Sequence, residues 1–300
     1  MKNYFYFILF LMSFTVNLAY GQIGKSKLYL AIDDYGDVAK AFLKKQGNKG
    51  VKVILGDKIY PDKPDLNQEC SVNTDTIAKY IVQAFPDKSA HGIGVLDWEG
   101  RSFDILMLFP SNSPVYQFVL KEFLKAIKIA KQIRPNVSWG YYGIPFKKDN
   151  FKSVSEWKHG NDKIAPLLKS CDVFCPNLYL YTPSNLDVSL DVKESIRLGI
   201  KYNKKVYPFI WQRYNGKENG EYKFDVMLKK DFVDNYAVTI LKTKFKNKKV
   251  NGVIWWSYDT YFYLHNEEVF LKEAVDFKSF MKKYDNTIID YSSGIIKAYK

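Results

Sequence analysis

Two acids one residue apart close an apolar run: Ile93-Gly-Val-Leu96 is followed by Asp97, Trp98 and Glu99. The run reads as a buried strand. Side chains alternate across a strand, so Asp97 and Glu99 should point the same way. In a barrel of parallel strands the C-terminal strand ends are where chemistry is placed. Two carboxylates this close resist joint ionisation, so one is expected to keep its proton near neutral pH. One acid could then protonate a leaving group while the other orients or stabilises, which is the chemistry of glycosidic bond cleavage. An Asp-x-Glu pair alone is also an ordinary strand end before a helix cap, so the rest of the chain has to decide.

The other expected strand ends carry a common chemistry. They read Trp139-Gly-Tyr-Tyr-Gly143, Pro176-Asn-Leu-Tyr-Leu-Tyr181, Tyr207-Pro-Phe-Ile-Trp-Gln-Arg-Tyr214 and Trp255-Trp-Ser-Tyr-Asp259. Aromatic rings with polar tips recur at one structural level and can stack on sugar rings. With the acid pair they favour a sugar cleft over plain core packing. Neighbours on a strand face opposite ways, and of Trp255 and Trp256 the first is expected to face the cleft.

Elements that would position these residues follow from periodicity. Strands are expected at 27–32, 51–55, 93–96, 137–142, 173–180 (interrupted at Pro176), 205–211 and 250–257. Helices are expected at 38–45, 73–84, 113–133, 164–168, 188–202, 224–245 and 269–284, and a loop with Pro61 and Pro64 follows the second strand. The helix over 113–133 should bury Val115, Phe118, Phe123, Ile127 and Ile133. About seven strand–helix alternations imply a parallel sheet. The expected fold is α/β: a distorted, TIM-like (β/α)7–8 barrel, one domain over 22–300.

Composition narrows the function classes. The 300 residues are 47% apolar, enough for a sizeable core, and include 23 Tyr and 21 Phe. A formal charge of +13 favours anionic partners. No helix-turn-helix, zinc-finger or RNA-sheet signature accompanies it, so an anionic polysaccharide is expected rather than nucleic acid. Many lysines, at 121–131 and 229–249, read most simply as solvated helix faces. His91, His159 and His265 are scattered singly and no Gly-x-Gly-x-x-Gly turn opens a helix, so neither metal nor cofactor is expected. Cys70, Cys171 and Cys175 allow one disulfide and no framework. Lys2, the apolar run Tyr4 to Val16 and the small-x-small site Ala19-Tyr-Gly21 read as a cleavable leader over 1–21. The run is too short for a permanent membrane span, so a secreted or periplasmic protein is expected.

Taken together these stretches resemble the hyaluronidases of glycoside hydrolase family 56. The similarity rests on Pro86-Asp-Lys-Ser89 with Gly92 to Glu99, Arg134-Pro135 with Trp139 to Pro145, Val192 to Arg197 with Lys204 to Trp211 and Tyr214, and Gly252 to Asp259. It covers roughly residues 50–280 in order. The resemblance implies hydrolysis of β-1,4 bonds after N-acetylhexosamine in hyaluronan by a retaining mechanism. The substrate's acetamido oxygen is then the nucleophile, an exception to the two-carboxylate scheme. By motif position Glu99 would be general acid and then base, and Asp97 would orient the acetamido group. Tyr142 and Tyr179 would hydrogen-bond the reacting sugar and Trp255 would wall the acetamido pocket. Asp259 at the cleft edge, Arg101, Trp211 and Ser257 would bind substrate. Departures lie in the subsites. Gly100-Arg101 replaces the usual Trp-Arg after the acid, Gly56-Asp57-Lys58 replaces Tyr-Asp-Pro, and the stretch from Glu99 to Pro135 is short. The family's disulfide cysteines are absent near Tyr35, Phe146 and His265. Reaction type is thus better supported than polymer. Chitin or peptidoglycan-type glycans, or a non-catalytic carbohydrate-binding barrel, are the alternatives.

Overall fold

The computed structural model describes residues 27–299 except 48, 61–67, 185–186 and 219. The leader expected over 1–21 and the Pro61/Pro64 loop lie outside the described residues.

The described residues form ten strands: β1 (Leu28–Ile32), β2 (Lys49–Leu55), β3 (Gly92–Asp97), β4 (Val137–Tyr141), β5 (Val173–Phe174), β6 (Lys205–Val206), β7 (Phe209–Ile210), β8 (Lys217–Glu218), β9 (Glu221–Tyr222) and β10 (Val253–Ser257). Six form a curled sheet in the order β4-β3-β2-β1-β10-β7, every pair parallel. The parallel pair β5–β6 and the bridges Tyr142–Cys175 and Asn177–Phe209 carry the ring from β4 round to β7. Strands β6 and β7 occupy one barrel position, split at Tyr207-Pro208 because proline has no N–H for the ladder. The architecture is a distorted parallel barrel of α/β class, with an antiparallel β8–β9 hairpin beside it.

Local chemistry sets the helix starts. Asn73 Oδ1 accepts from the N–H groups of Asp75 and Thr76 and caps Thr74–Ala84. Ser113 Oγ accepts from Tyr116 N, and Pro114 opens the helix Pro114–Ile133. That helix buries Tyr116, Val119, Leu120, Phe123, Ala126, Ile127 and Ala130, a continuous 3.6-residue stripe. Val115 and Phe118, expected on that stripe, are exposed. Phe123 and Ile127 are buried as expected, and Tyr116 and Val119 take the places of Val115 and Phe118.

Several boundaries differ from expectation. Helices Arg101–Leu108 and Val154–Lys163 were not anticipated. The helix expected over 224–245 is a π-helical stretch, Asp231–Ala237, running into Val238–Lys242. Its first residues are instead drawn into a bridge between Val226 and Arg213. The last helix is Phe277–Tyr299, after a short turn of helix at Glu268–Leu271. All three cysteines are buried free thiols. Cys171 and Cys175 flank the extended β5, which separates their Cα atoms by roughly 13 Å, beyond disulfide reach.

Apolar side chains pack in two shells. Ala31, Val95, Phe209 and Ile254 fill the barrel interior, and a larger cluster packs the outer strand faces against the helices. No helix among the described residues is long and apolar enough to cross a membrane.

Candidate active site

A cleft of about 520 Å³ opens at the C-terminal ends of the barrel strands. Asp97 and Glu99 both line it. What turns them inward is the residue between them. Trp98 is buried on the outer side, donates Nε1–H to Glu69 O at 3.0 Å and stacks on Phe123 of the helix Pro114–Ile133. Gly100, at φ +72°, then turns the chain from strand to helix, a conformation that disfavours other residues.

The same alternation works on β4. Tyr141 points out and donates to Phe123 O at 2.7 Å, while Tyr142 points into the cleft. Gly143, at φ +74°, lies against the Phe103 ring, where a Cβ would come within 2.9 Å. Tyr179 is fixed through its backbone. Its N–H donates to Asn177 Oδ1 at 2.7 Å, and Lys147 Nζ donates to its carbonyl at 2.7 Å. Tyr142 and Tyr179 lie side by side, with ring centroids 5.8 Å apart. Trp211 and Trp256 meet edge to face at 5.0 Å, and Tyr179 lies 5.7 Å from each.

The electrostatics are those of two crowded acids. Asp97 is held well above the usual carboxylate range, first by burial and then by Glu99. Glu99 is raised by burial and then by Asp104, which also lines the cleft. Burial is the larger cause for both, and the more enclosed acid is Asp97, so the pair holds a shared proton more tightly than free carboxylates do. The Tyr142 and Tyr179 hydroxyls are pushed far above their ordinary value, chiefly by burial, and stay neutral donors. Two buried polar atoms of cleft-lining residues, Asp97 Oδ1 and Trp211 Nε1, have no hydrogen-bond partner among the described residues. Among those residues no group of three or more His, Cys, Asp or Glu could hold a metal ion.

Of the residues singled out in the sequence, Asp97, Glu99, Tyr142, Tyr179 and Trp211 come together in the cleft. Four do not. Trp255 is turned outward into the core beside Phe232, and its Nε1–H donates to Gln212 Oε1 at 2.7 Å. Its neighbour Trp256 lines the cleft instead, because Trp256 registers with the inward Ala31 and Trp255 with the outward Leu30. Ser257 shares Trp255's face, is fully buried, and donates to Asp259 Oδ1 at 2.6 Å. Asp259 is buried away from the cleft edge in an ion pair with Arg213 at 2.7 Å. Arg101 opens the helix Arg101–Leu108, exposed and outside the cleft lining.

Sequence reasoning missed Asp104, Lys147 and Phe262, which also line the cleft. Asp104 sits one helical turn past Gly100, so recognising the Arg101–Leu108 helix would have placed it.

No protein-family model matches the chain. Curated relatives are hyaluronidases. "Inactive hyaluronidase B" of Vespula vulgaris is 26% identical over 190 residues, covering 50% of this chain and 56% of the relative. "Hyaluronidase" of Apis mellifera is 26% identical over 182 residues, covering 47% and 48%. The chain thus spans about half the length of the curated relatives it matches. In structure, bee venom hyaluronidase aligns over 90% of this chain and 99% of its own, with TM-score 0.60 and 17% identity. Its complex with a hyaluronic acid tetramer aligns over 92% and 100%, with TM-score 0.62 and 15% identity. In sequence and in fold, the chain is similar to the hyaluronidases.

Proposed function

We propose that the protein is an endo-β-N-acetylhexosaminidase that hydrolyses hyaluronan or a related glycosaminoglycan. The observation that carries this reading is the inward pair Asp97 and Glu99, both raised by burial, with Asp97 Oδ1 left without a partner. Glu99 protonates the glycosidic oxygen as the acetamido oxygen attacks the anomeric carbon. Asp97, as carboxylate, accepts the acetamido N–H and aligns that nucleophile. Glu99, now a carboxylate, takes a proton from the water that opens the cyclic intermediate, which restores the acid and retains configuration. An acetamido N–H reaching Asp97 favours its anion and so moves the shared proton onto Glu99, where the first step needs it. Tyr142 and Tyr179 donate without adding charge, and Trp256 takes the place first assigned to Trp255 as the pocket wall. Export rests on the leader expected over 1–21.

A second reading keeps this chemistry on a neutral polymer of chitin type. The acids Asp97, Glu99 and Asp104 line the cleft, and its cation Lys147 is paired with Asp149 at 3.1 Å. Such a lining repels a polyanion. Incubating the chain from Gln22 onward with hyaluronan, chondroitin, chitin oligomers and peptidoglycan, and assaying new reducing ends, separates the readings. Release from hyaluronan or chondroitin by wild type and not by Glu99→Gln supports the first. Release from chitin oligomers alone supports the second. Release from none, with the chain folded, overturns both and leaves a carbohydrate-binding barrel.

A further inference from the structure

We propose that the N-terminal end of the barrel, opposite the cleft, is a second, non-catalytic surface for an anionic polysaccharide, centred on Lys242, Lys244, Lys246, Lys248 and Lys249. The proposal rests on reading the cleft as a carbohydrate site. The chain's charge of +13 is not spent in that cleft, where acids outnumber cations. It gathers elsewhere. Five of the eight residues from 242 to 249 are lysine, and no acid occurs between Asp234 and Asp259.

Lys242 ends the helix Val238–Lys242, but the other four lie beyond it and are not the solvated helix face expected from sequence. Phe245 and Lys248 exchange backbone hydrogen bonds at 2.9 and 3.0 Å across a turn at Lys246 and Asn247, both at positive φ. All five lysines are exposed, and none forms an ion pair among the described residues. Lysines elsewhere differ: Lys131 pairs with Asp172 at 2.7 Å and Lys201 with Asp162 at 3.0 Å.

The turn directly precedes β10, and all barrel strands are parallel, so it lies at the end opposite Asp97. Distant segments add cations there. Lys27, before β1, and Lys249 both stand over the Tyr299 ring, at 5.3 and 5.9 Å. Lys205 opens β6 beside Asn251, whose Oδ1 accepts from Val206 N. Like charges brought together by the fold, with no ion pair to the five lysines among the described residues, make a field that attracts polyanions.

The surface chemistry favours a glycan among polyanions. No exposed large apolar side chain lies in 242–249, so nothing there inserts into a bilayer. Phe245 is half-buried and the Tyr299 ring is covered by lysines, so no free ring stacks a base. Spaced carboxylates or sulfates on a flexible polymer suit lysines acting as point charges. A polymer held there raises the local concentration of chain at the cleft.

The test is salt elution of the Glu99→Gln protein from immobilised heparin and hyaluronan. It is run beside the same protein carrying Lys242→Gln, Lys244→Gln, Lys246→Gln and Lys248→Gln, with thermal unfolding as a folding control. Earlier elution, with affinity down about ten-fold or more at low salt, is expected. Equal retention overturns the proposal. So does binding to phosphatidylserine vesicles or single-stranded DNA without binding to either glycan. Elution needs no turnover, so failure of wild type to cleave any glycan overturns the cleft reading alone.

Discussion

Trp98 and Phe123 stack with ring centroids 4.5 Å apart and planes 3° from parallel. This contact, between a strand end and the helix packed outside it, sets the direction of both acids. With Trp98 anchored outward, Asp97 and Glu99 have to face in. Trp98→Ala should cost about 3–5 kcal/mol through the cavity it leaves. Trp98→Phe keeps a ring against Phe123 but loses the bond to Glu69 O and part of the indole volume, and should cost less, about 1–3 kcal/mol. Urea unfolding measures both, and equal losses would show that the stack is not the anchor.

The shared proton has a signature in stability. Burial and Glu99 raise Asp97, so the folded chain binds that proton more tightly than the unfolded chain. Its stabilising contribution is complete below the unfolded value, about 3.9, and is lost as pH rises through the raised folded value. Asp97→Asn cannot ionise and escapes this loss. The variant should unfold at a higher temperature than wild type, by a margin that grows as pH rises above about 4, while turnover falls by orders of magnitude. A margin that shrinks with rising pH would contradict the assignment.

Adjacent tryptophans on β10 should behave oppositely. Trp255→Ala empties a fully buried site beside Phe232 and Tyr291 and should cost about 3–5 kcal/mol. Trp256→Ala removes a cleft wall and should lower glycan turnover at least about ten-fold for about half that loss of stability. Thermal unfolding and reducing-end assays on the two variants decide. The reverse pattern would restore Trp255 to the pocket.

This pair also marks where sequence reading stopped. Periodicity located β10 and told that one ring faced in. Which one depends on pairing with β1, a tertiary register that one strand does not encode. The acid pair was legible because Asp97 and Glu99 need only the i, i+2 rule, and the helix Thr74–Ala84 because Asn73 caps it locally. Asp104 was hidden by the unread helix after Gly100, and Lys147 by a fold that brings Tyr179 beside it only in three dimensions. Asp259 looked like a cleft acid because its partner, Arg213, lies 46 residues away.

That buried pair yields the last prediction. Asp259 Oδ2 accepts from Arg213 Nε at 2.8 Å and from Gln212 Nε2 at 2.9 Å, and Arg213 also pairs with Glu273 at 2.6 Å. Gln212 in turn accepts from Trp255, so the network ties β10 to the segment carrying Trp211. Removing Asp259 leaves the buried guanidinium with one carboxylate partner, Glu273, in place of two. Asp259→Leu should cost about 3–5 kcal/mol, whereas Asp259→Leu with Arg213→Met should cost less than that single change, although Glu273 then loses its partner. Urea unfolding of wild type, the single variant and the double variant reads this. If the double costs as much as the single, the penalty is lost packing rather than the guanidinium's lost partner.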